Sequence, residues 1–232
     1  QVVILAGGKG TRLRPYTAVL PKPLVPVGGL PIAEVIIRQL KFYGIKNIIM
    51  ATGYLAELIE AYFGDGSRFG VHIEYLKEKR PLGTAGAIKL IKNLDKNFLV
   101  INGDTLTNLN FKRLLHMHKA ARNMATITIK GVTVKTDFGV VDCDSKGTFL
   151  DYIEKPSHRS YVSVGVNVFD RECQKHIKQN EKIDIPGLML RLKKIGGKVC
   201  CHKTKNIWLD LGRLDDLELA QRIFAKNRRK FL

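Results

Sequence analysis

The chain has 232 residues, 45% hydrophobic and 26% charged, which excludes disordered, collagen-like and disulfide-scaffold classes and leaves one globular domain over residues 1–232 as the simplest expectation. At this length a compact fold buries roughly 70–75% of the surface its unfolded chain exposes, so neither disulfides nor a structural metal are needed to explain a core. Lysine and arginine number 39 against 21 acidic residues, a formal +18 that favours anionic partners.

Apolar runs alternate with amphipathic segments along the first half, the pattern of an α/β layer fold. Residues 2–6 read as a buried strand, 32–43 as a helix carrying Ile36, Leu40 and Tyr43 at helical spacing, and 47–50 as a second strand after the stop at Gly44. Helix 55–63, strand 71–76, helix 85–91 and strand 98–101 follow, and right-handed crossovers make this part of the sheet parallel. A helix over 111–122 is succeeded by strands 125–130, 139–142, 149–153 and 162–169, so the sheet is expected to become mixed. Helices return at 185–195, where Pro186 suits a first turn, and at 214–226. No hexapeptide repeat closes the chain, and Gln1 standing directly before a strand leaves a preceding domain open.

No run reaches the roughly 18–20 apolar residues of a membrane span, so no membrane partner is expected. The basic residues are dispersed, with one short cluster at Arg228, Arg229 and Lys230 and no aromatic interleaving, so nucleic acid is not the expected partner either. Cys143, Cys173, Cys200 and Cys201 lack zinc-site spacing, and a reducing, cytoplasmic setting is expected. His116 and His118, two apart, fall on different helix faces and read as surface or boundary residues rather than shared metal ligands.

The sharpest feature is Leu5-Ala6-Gly7-Gly8-Lys9-Gly10-Thr11-Arg12-Leu13-Arg14-Pro15 at the end of the first strand. Glycines let backbone N–H groups approach an anion, and Arg12 and Arg14 add charge suited to phosphates. It is neither a Walker loop nor a dinucleotide fingerprint, and a plain glycine turn fits the same residues. Pro21-Lys22-Pro23-Leu24 holds one lysine between two prolines, which either preorganises it or leaves it solvated.

Together these stretches resemble the sugar-1-phosphate nucleotidylyltransferases, the family of mannose-1-phosphate guanylyltransferases and glucose-1-phosphate thymidylyl- and uridylyltransferases. Further segments agree in order: Pro81 to Ala87 (PLGTAGA), Asn102-Gly103-Asp104, Phe138 to Val141 (FGVV), Glu154-Lys155-Pro156, Gly165-Val166-Asn167 and Trp208 to Arg213 (WLDLGR). The resemblance implies a Rossmann-like three-layer nucleotidyltransferase fold of α/β class with a mixed, mostly parallel central sheet. It places nucleotide binding in about 1–110 and sugar-phosphate binding in about 111–232.

The implied partners are a nucleoside triphosphate and a sugar 1-phosphate, with homo-oligomerisation left open, and the implied cofactor is Mg2+ on Asp104 and Asp210. Arg12 and Lys22 correspond to the cations on the triphosphate, and Leu5, Ala6, Gly7, Gly8, Gly10, Thr11, Glu78, Pro81, Gly83 and Thr84 to nucleotide contacts. Gly139, Glu154, Lys155, Val164 and Asn167 correspond to the sugar-phosphate side. By itself Asp104 would serve equally as a helix N-cap or turn residue, and Glu154 with Lys155 as a surface ion pair. Glu78 falls where the family reads the base; a carboxylate accepts both guanine donors but would equally accept the single imino N–H of uracil or thymine, unless Glu78 only pairs with Lys77 or Lys79. The two guanine donors and the likeness of residues 80–87 (RPLGTAGA) to the guanylyltransferase version favour GTP, and the resemblance then implies mannose 1-phosphate. UTP or dTTP with glucose 1-phosphate is the alternative within the class. A silent regulatory subunit is the alternative outside it, disfavoured because Arg12, Lys22, Asp104 and Asp210 are all present.

Overall fold

The computed structural model describes residues 1–78 and 80–232. The chain runs through β1 (Val2–Ala6), the short pair β2 (Pro26–Val27) and β3 (Leu30–Pro31), α1 (Ile32–Phe42), β4 (Asn47–Thr52), α2 (Ala56–Phe63), β5 (His72–Lys77), α3 (Gly83–Gly86), β6 (Asn97–Asn102) and β7 (Thr105–Thr107). It continues through α4 (Phe111–Ala120), β8 (Ala125–Lys135), β9 (Val140–Cys143), β10 (Phe149–Ile153), β11 (Ser157–Asp170), α5 (Ile185–Lys194), β12 (Val199–Thr204), β13 (Trp208–Asp210) and α6 (Leu214–Phe231).

Seven strands form one sheet in the order β12-β8-β11-β6-β1-β4-β5. Strands β6, β1, β4 and β5 are parallel, β11 runs antiparallel between β6 and β8, and β12 is parallel to β8. Alternation along each strand sends neighbours to opposite faces. Val2, Ile4, Ile48, Met50, Leu99 and Ile101 join one core with Ile36 of α1, Ile59 of α2, Phe111 of α4 and Phe224 of α6. Val3, Ile49, Ala51, Phe98 and Val100 join the other with Ile88 and with Leu188 and Leu192 of α5. This is the expected three-layer arrangement, in which each fully buried aliphatic side chain contributes about 1.5–3 kcal/mol. No helix among the described residues is long and apolar enough to cross a membrane.

Several expectations change. The helix expected over 85–91 is one α turn, α3, followed by a 3-10 turn, Ala87–Leu90, because α3 is tied to residue 183 by backbone hydrogen bonds. Strands β8 and β11 outrun their expected limits and leave the sheet as a two-stranded ribbon tipped by β9 and β10, where Phe138, Phe149, Leu150, Tyr152 and Ile153 are exposed. Cross-strand hydrogen bonds, not burial, hold this ribbon, so it carries no apolar period. His118 is buried, not at the surface: Phe111, Leu114 and His118 share the inner face of α4, and its Nδ1 lies 2.8 Å from Thr126 Oγ1. Burial lowers its pKa, whereas His116 points outward.

Candidate active site

The carboxyl ends of β1, β4 and β6 open onto a cleft of about 290 Å³, the position at which open α/β sheets take ligands. Leu5, Ala6, Gly7 and Gly8 leave β1 along one side, Asn102, Gly103 and Asp104 leave β6, and Glu78, Pro81, Gly83 and Thr84 follow β5. Gly10 adopts φ +60°, and a Cβ there would stand 2.9 Å from Thr17 Cγ2 and 3.2 Å from Lys22 Cβ, so the glycine loop packs directly on the lysine stem. The carbonyl of Gly10 accepts the Thr17 hydroxyl at 2.7 Å and the Leu13 N–H at 2.9 Å, which closes the 3-10 turn carrying Thr11 and Arg12.

Pro21 and Pro23 restrict the turn that presents Lys22, whose side chain is only 12% exposed. Its ammonium pairs with Asp104 Oδ2, a contact between residues 82 apart in the chain. Asp104 is not a helix cap: Asn110 caps α4, its side chain accepting the Arg113 N–H at 2.8 Å. The antiparallel pair β7 and β13 sets Asp210 opposite Thr105, and the Leu211 N–H donates to the Asp104 carbonyl at 3.2 Å. Gly212 marks the next neighbour, since a Cβ there would stand 3.2 Å from Asp210 Oδ2 and 3.4 Å from Arg12 Nη2. Two cations and two carboxylates thus converge beside the glycine loop.

The carboxyl of Asp210 is raised above its ordinary range, first by desolvation and then by the Asp104 charge, with Lys22 and Arg12 pulling it down. Asp104 Oδ1 is buried with no hydrogen-bond partner among the described residues. A carboxyl raised in the folded state stabilises the protein below the ordinary carboxylate pKa and loses that contribution as pH rises through the folded value. Asp210→Asn is therefore expected to raise the thermal midpoint of the nucleotide-free protein at pH 7, a gain that vanishes below about pH 4. Midpoints of both proteins across that range test it, and a lower midpoint for the variant at pH 7 would contradict the sign.

The nucleotidyl transferase family model matches residues 1–227. The chain belongs to that family. It is 33% identical over 222 residues to a mannose-1-phosphate guanylyltransferase of Mycobacterium tuberculosis, covering 93% of this chain and 62% of that protein. It is also 33% identical over 236 residues to a UTP–glucose-1-phosphate uridylyltransferase of Synechocystis, covering 93% and 61% respectively. The chain thus spans about six-tenths of the length of these relatives. The crystal structure of HddC from Yersinia pseudotuberculosis complexed with GMP-PN superposes with a TM-score of 0.73 at 27% identity, over 96% of this chain and 98% of that one.

Within this family member the remaining candidates fall into three places. Glu78 lines the cleft, one carboxylate oxygen accepting the Leu82 N–H at 3.1 Å, and burial raises its pKa more than that bond lowers it. Lys77 pairs with Glu60 at 3.0 Å instead, and Lys79 lies outside the described residues. Gly10 and Thr11, like Arg12 and Asp210, lie beside the cleft rather than in its lining. Of the candidates expected on the sugar-phosphate side, Gly139, Glu154 and Lys155 sit on the exposed ribbon, with Glu154 accepting the Tyr152 hydroxyl at 2.9 Å and Lys155 Nζ 3.9 Å away. Val164 and Asn167 belong to the sheet: both are buried, Asn167 lies level with Val100 of β6, and its Oδ1 has no partner among the described residues.

Pro23, Ala51, Asn102 and Gly103 also line the cleft and were not among the candidates. Ala51 and Asn102 stand at the carboxyl ends of β4 and β6, so the rule for ligand position in open sheets would have found them.

Proposed function

We propose that the cleft transfers a nucleotidyl group from a nucleoside triphosphate, GTP by preference, to a hexose 1-phosphate, mannose 1-phosphate by preference, forming a nucleotide sugar and pyrophosphate. The observation that carries this reading is the meeting of Lys22, Asp104, Asp210 and Arg12 at the end of β6, beside the exposed glycine loop. The triphosphate runs along Gly7 and Gly8 with Arg12 offsetting its charge, and Lys22 faces the α-phosphate. An oxygen of the sugar phosphate bonds to the α-phosphorus while the bond to the β-phosphate oxygen breaks. No general base is needed, because a phosphate monoester with a second pKa of about 6 is already ionised at neutral pH. Catalysis then consists of positioning and charge neutralisation.

Asp104 and Asp210 fit a magnesium ion. Asp104 Oδ1 lacks a partner among the described residues, and Asp210, raised first by burial and then by the Asp104 charge, stands close enough to feel that charge. When bound, the ion supplies positive charge to the reacting phosphates. Glu154 accepts sugar hydroxyls and Lys155 meets the sugar phosphate, with Gly139 on the same ribbon, while Val164 and Asn167, buried in β11, shape the site from the sheet. Glu78 lines the cleft where the resemblance places the base; with one oxygen engaged by the Leu82 N–H, the carboxylate can accept from guanine or from uracil and thymine, and the preference for GTP is supported by the 33% identity to a guanylyltransferase. Equal identity to a uridylyltransferase supports UTP with glucose 1-phosphate as the second reading. Four free thiols suit a reducing, cytoplasmic setting.

The test is magnesium-dependent pyrophosphate release from GTP, UTP, dTTP, CTP and ATP against a panel of sugar 1-phosphates. Turnover with GTP and mannose 1-phosphate supports the full reading, turnover with UTP and glucose 1-phosphate the second. A folded protein that binds nucleotide yet turns over no pair would instead be a regulatory subunit.

A further inference from the structure

We infer that Asp184 is a positioning residue for one wall of the cleft, and that through it the start of α5 helps decide which nucleobase is accepted. The inference rests on reading the cleft as a nucleoside triphosphate site.

Asp184 occupies the N-cap position of α5, where an aspartate ordinarily accepts an N–H of its own helix. It makes no such bond. Its Oδ1 instead accepts the Thr84 N–H at 2.9 Å and the Thr84 hydroxyl at 3.3 Å, across 100 residues of sequence. In return Thr84 Oγ1 accepts the Ile185 N–H at 2.8 Å, so the cleft wall caps α5 and the cap residue of α5 holds the wall. Pro186 has no N–H to offer, which leaves Ile185 as the first donor of the helix. With its N–H and hydroxyl both engaged inside the protein, Thr84 contributes shape to the cleft rather than a polar contact.

The same two segments are joined along their backbones. The Ile183 N–H donates to the Leu82 carbonyl at 2.9 Å, and the Ile183 carbonyl accepts from Ala85 and Gly86 at 3.0 and 3.1 Å. Gly83, at φ +75°, leaves the space that the carboxylate fills, since a Cβ there would stand 2.6 Å from Asp184 Oδ1. Behind the contact, Glu181 and Arg191 form a bidentate pair at 2.6 and 2.8 Å, which steadies the loop leading into Asp184. Gly83 and Thr84 line the cleft together with Glu78, so the Asp184 contact sets the room beside the group that reads the base. Purines and pyrimidines differ there by a whole ring.

The experiment uses the full chain and compares wild type with Asp184→Ala, Asp184→Asn and Thr84→Val, measuring Kd for GTP and UTP by calorimetry alongside kcat and KM. Asp184→Ala is expected to weaken the preferred triphosphate about tenfold, the scale of one hydrogen bond to a charged acceptor. The ratio of GTP to UTP affinity is expected to move toward unity, with the change carried by KM and kcat within about threefold. Asp184→Asn keeps an acceptor oxygen and is expected to restore the wild-type ratio. Thr84→Val should reproduce Asp184→Ala, and the double variant should be no worse than either single one, because both remove the same exchange. A folded Asp184→Ala protein with an unchanged affinity ratio, or one that loses kcat alone, overturns the inference while leaving the cleft assignment standing. Wild-type protein that binds neither triphosphate overturns both.

Discussion

Asp104→Asn is expected to lower turnover about a thousandfold at saturating substrates, the scale seen when one preorganised electrostatic group is removed from a phosphate- or oxyanion-stabilising site. The substitution preserves volume and one acceptor oxygen, so its effect isolates charge. Oδ2 pairs with Lys22, and in the proposed function the buried Oδ1 would meet the magnesium ion, so both contacts depend on that charge. Losing the carboxylate also leaves a lysine that is only 12% exposed without its counter-charge. Breaking one side of a buried pair costs about 3–5 kcal/mol when the pair is fully enclosed, and less at a cleft open to water. The thermal midpoint should therefore fall, and kinetics belong at a temperature well below it. The measurement is pyrophosphate release over a magnesium titration, in which the variant should also need more magnesium. Activity within tenfold of wild type would remove Asp104 from the chemistry.

The second large effect concerns its partner. Lys22→Met retains the aliphatic stem packed against Gly10 but drops the ammonium, and kcat is expected to fall about 100- to 1,000-fold. If Lys22 acts on charge that develops at the α-phosphate, the loss appears in kcat, and KM for the sugar phosphate changes little. Lys22→Arg restores charge but not fit. The prolines hold the stem in one direction, and a planar guanidinium cannot occupy the place of a compact ammonium beside Asp104. Recovery to near wild-type rates in the arginine variant would mean that Lys22 supplies only diffuse charge. Single-turnover rates would separate that outcome from a change in product release.

The residues that sequence reading located well are those whose information is local. Val2 to Ala6 and Phe98 to Ile101 stand as strands because short apolar runs bounded by glycine and polar residues have few other solutions, and α1 follows from the spacing of Ile36, Leu40 and their neighbours. The glycine loop and the Pro21-Lys22-Pro23 turn likewise carry their backbone geometry in their own composition. Resemblance then joined Asp104 to Asp210, which spacing alone could not do.

Only the tertiary structure decided which distant groups meet. The two carboxylates come together through β7 and β13, strands of three residues each, too short to show any period. His118 is buried because its face of α4 lies against Thr126, a fact about the neighbouring strand rather than about the helix. The ribbon of β8 and β11 and the exchange between Thr84 and Asp184 are likewise pairwise hydrogen-bond decisions. A sequence pattern records which side of an element avoids water, whereas the partner on that side is chosen by packing the whole sheet, and the site lies where those choices converge.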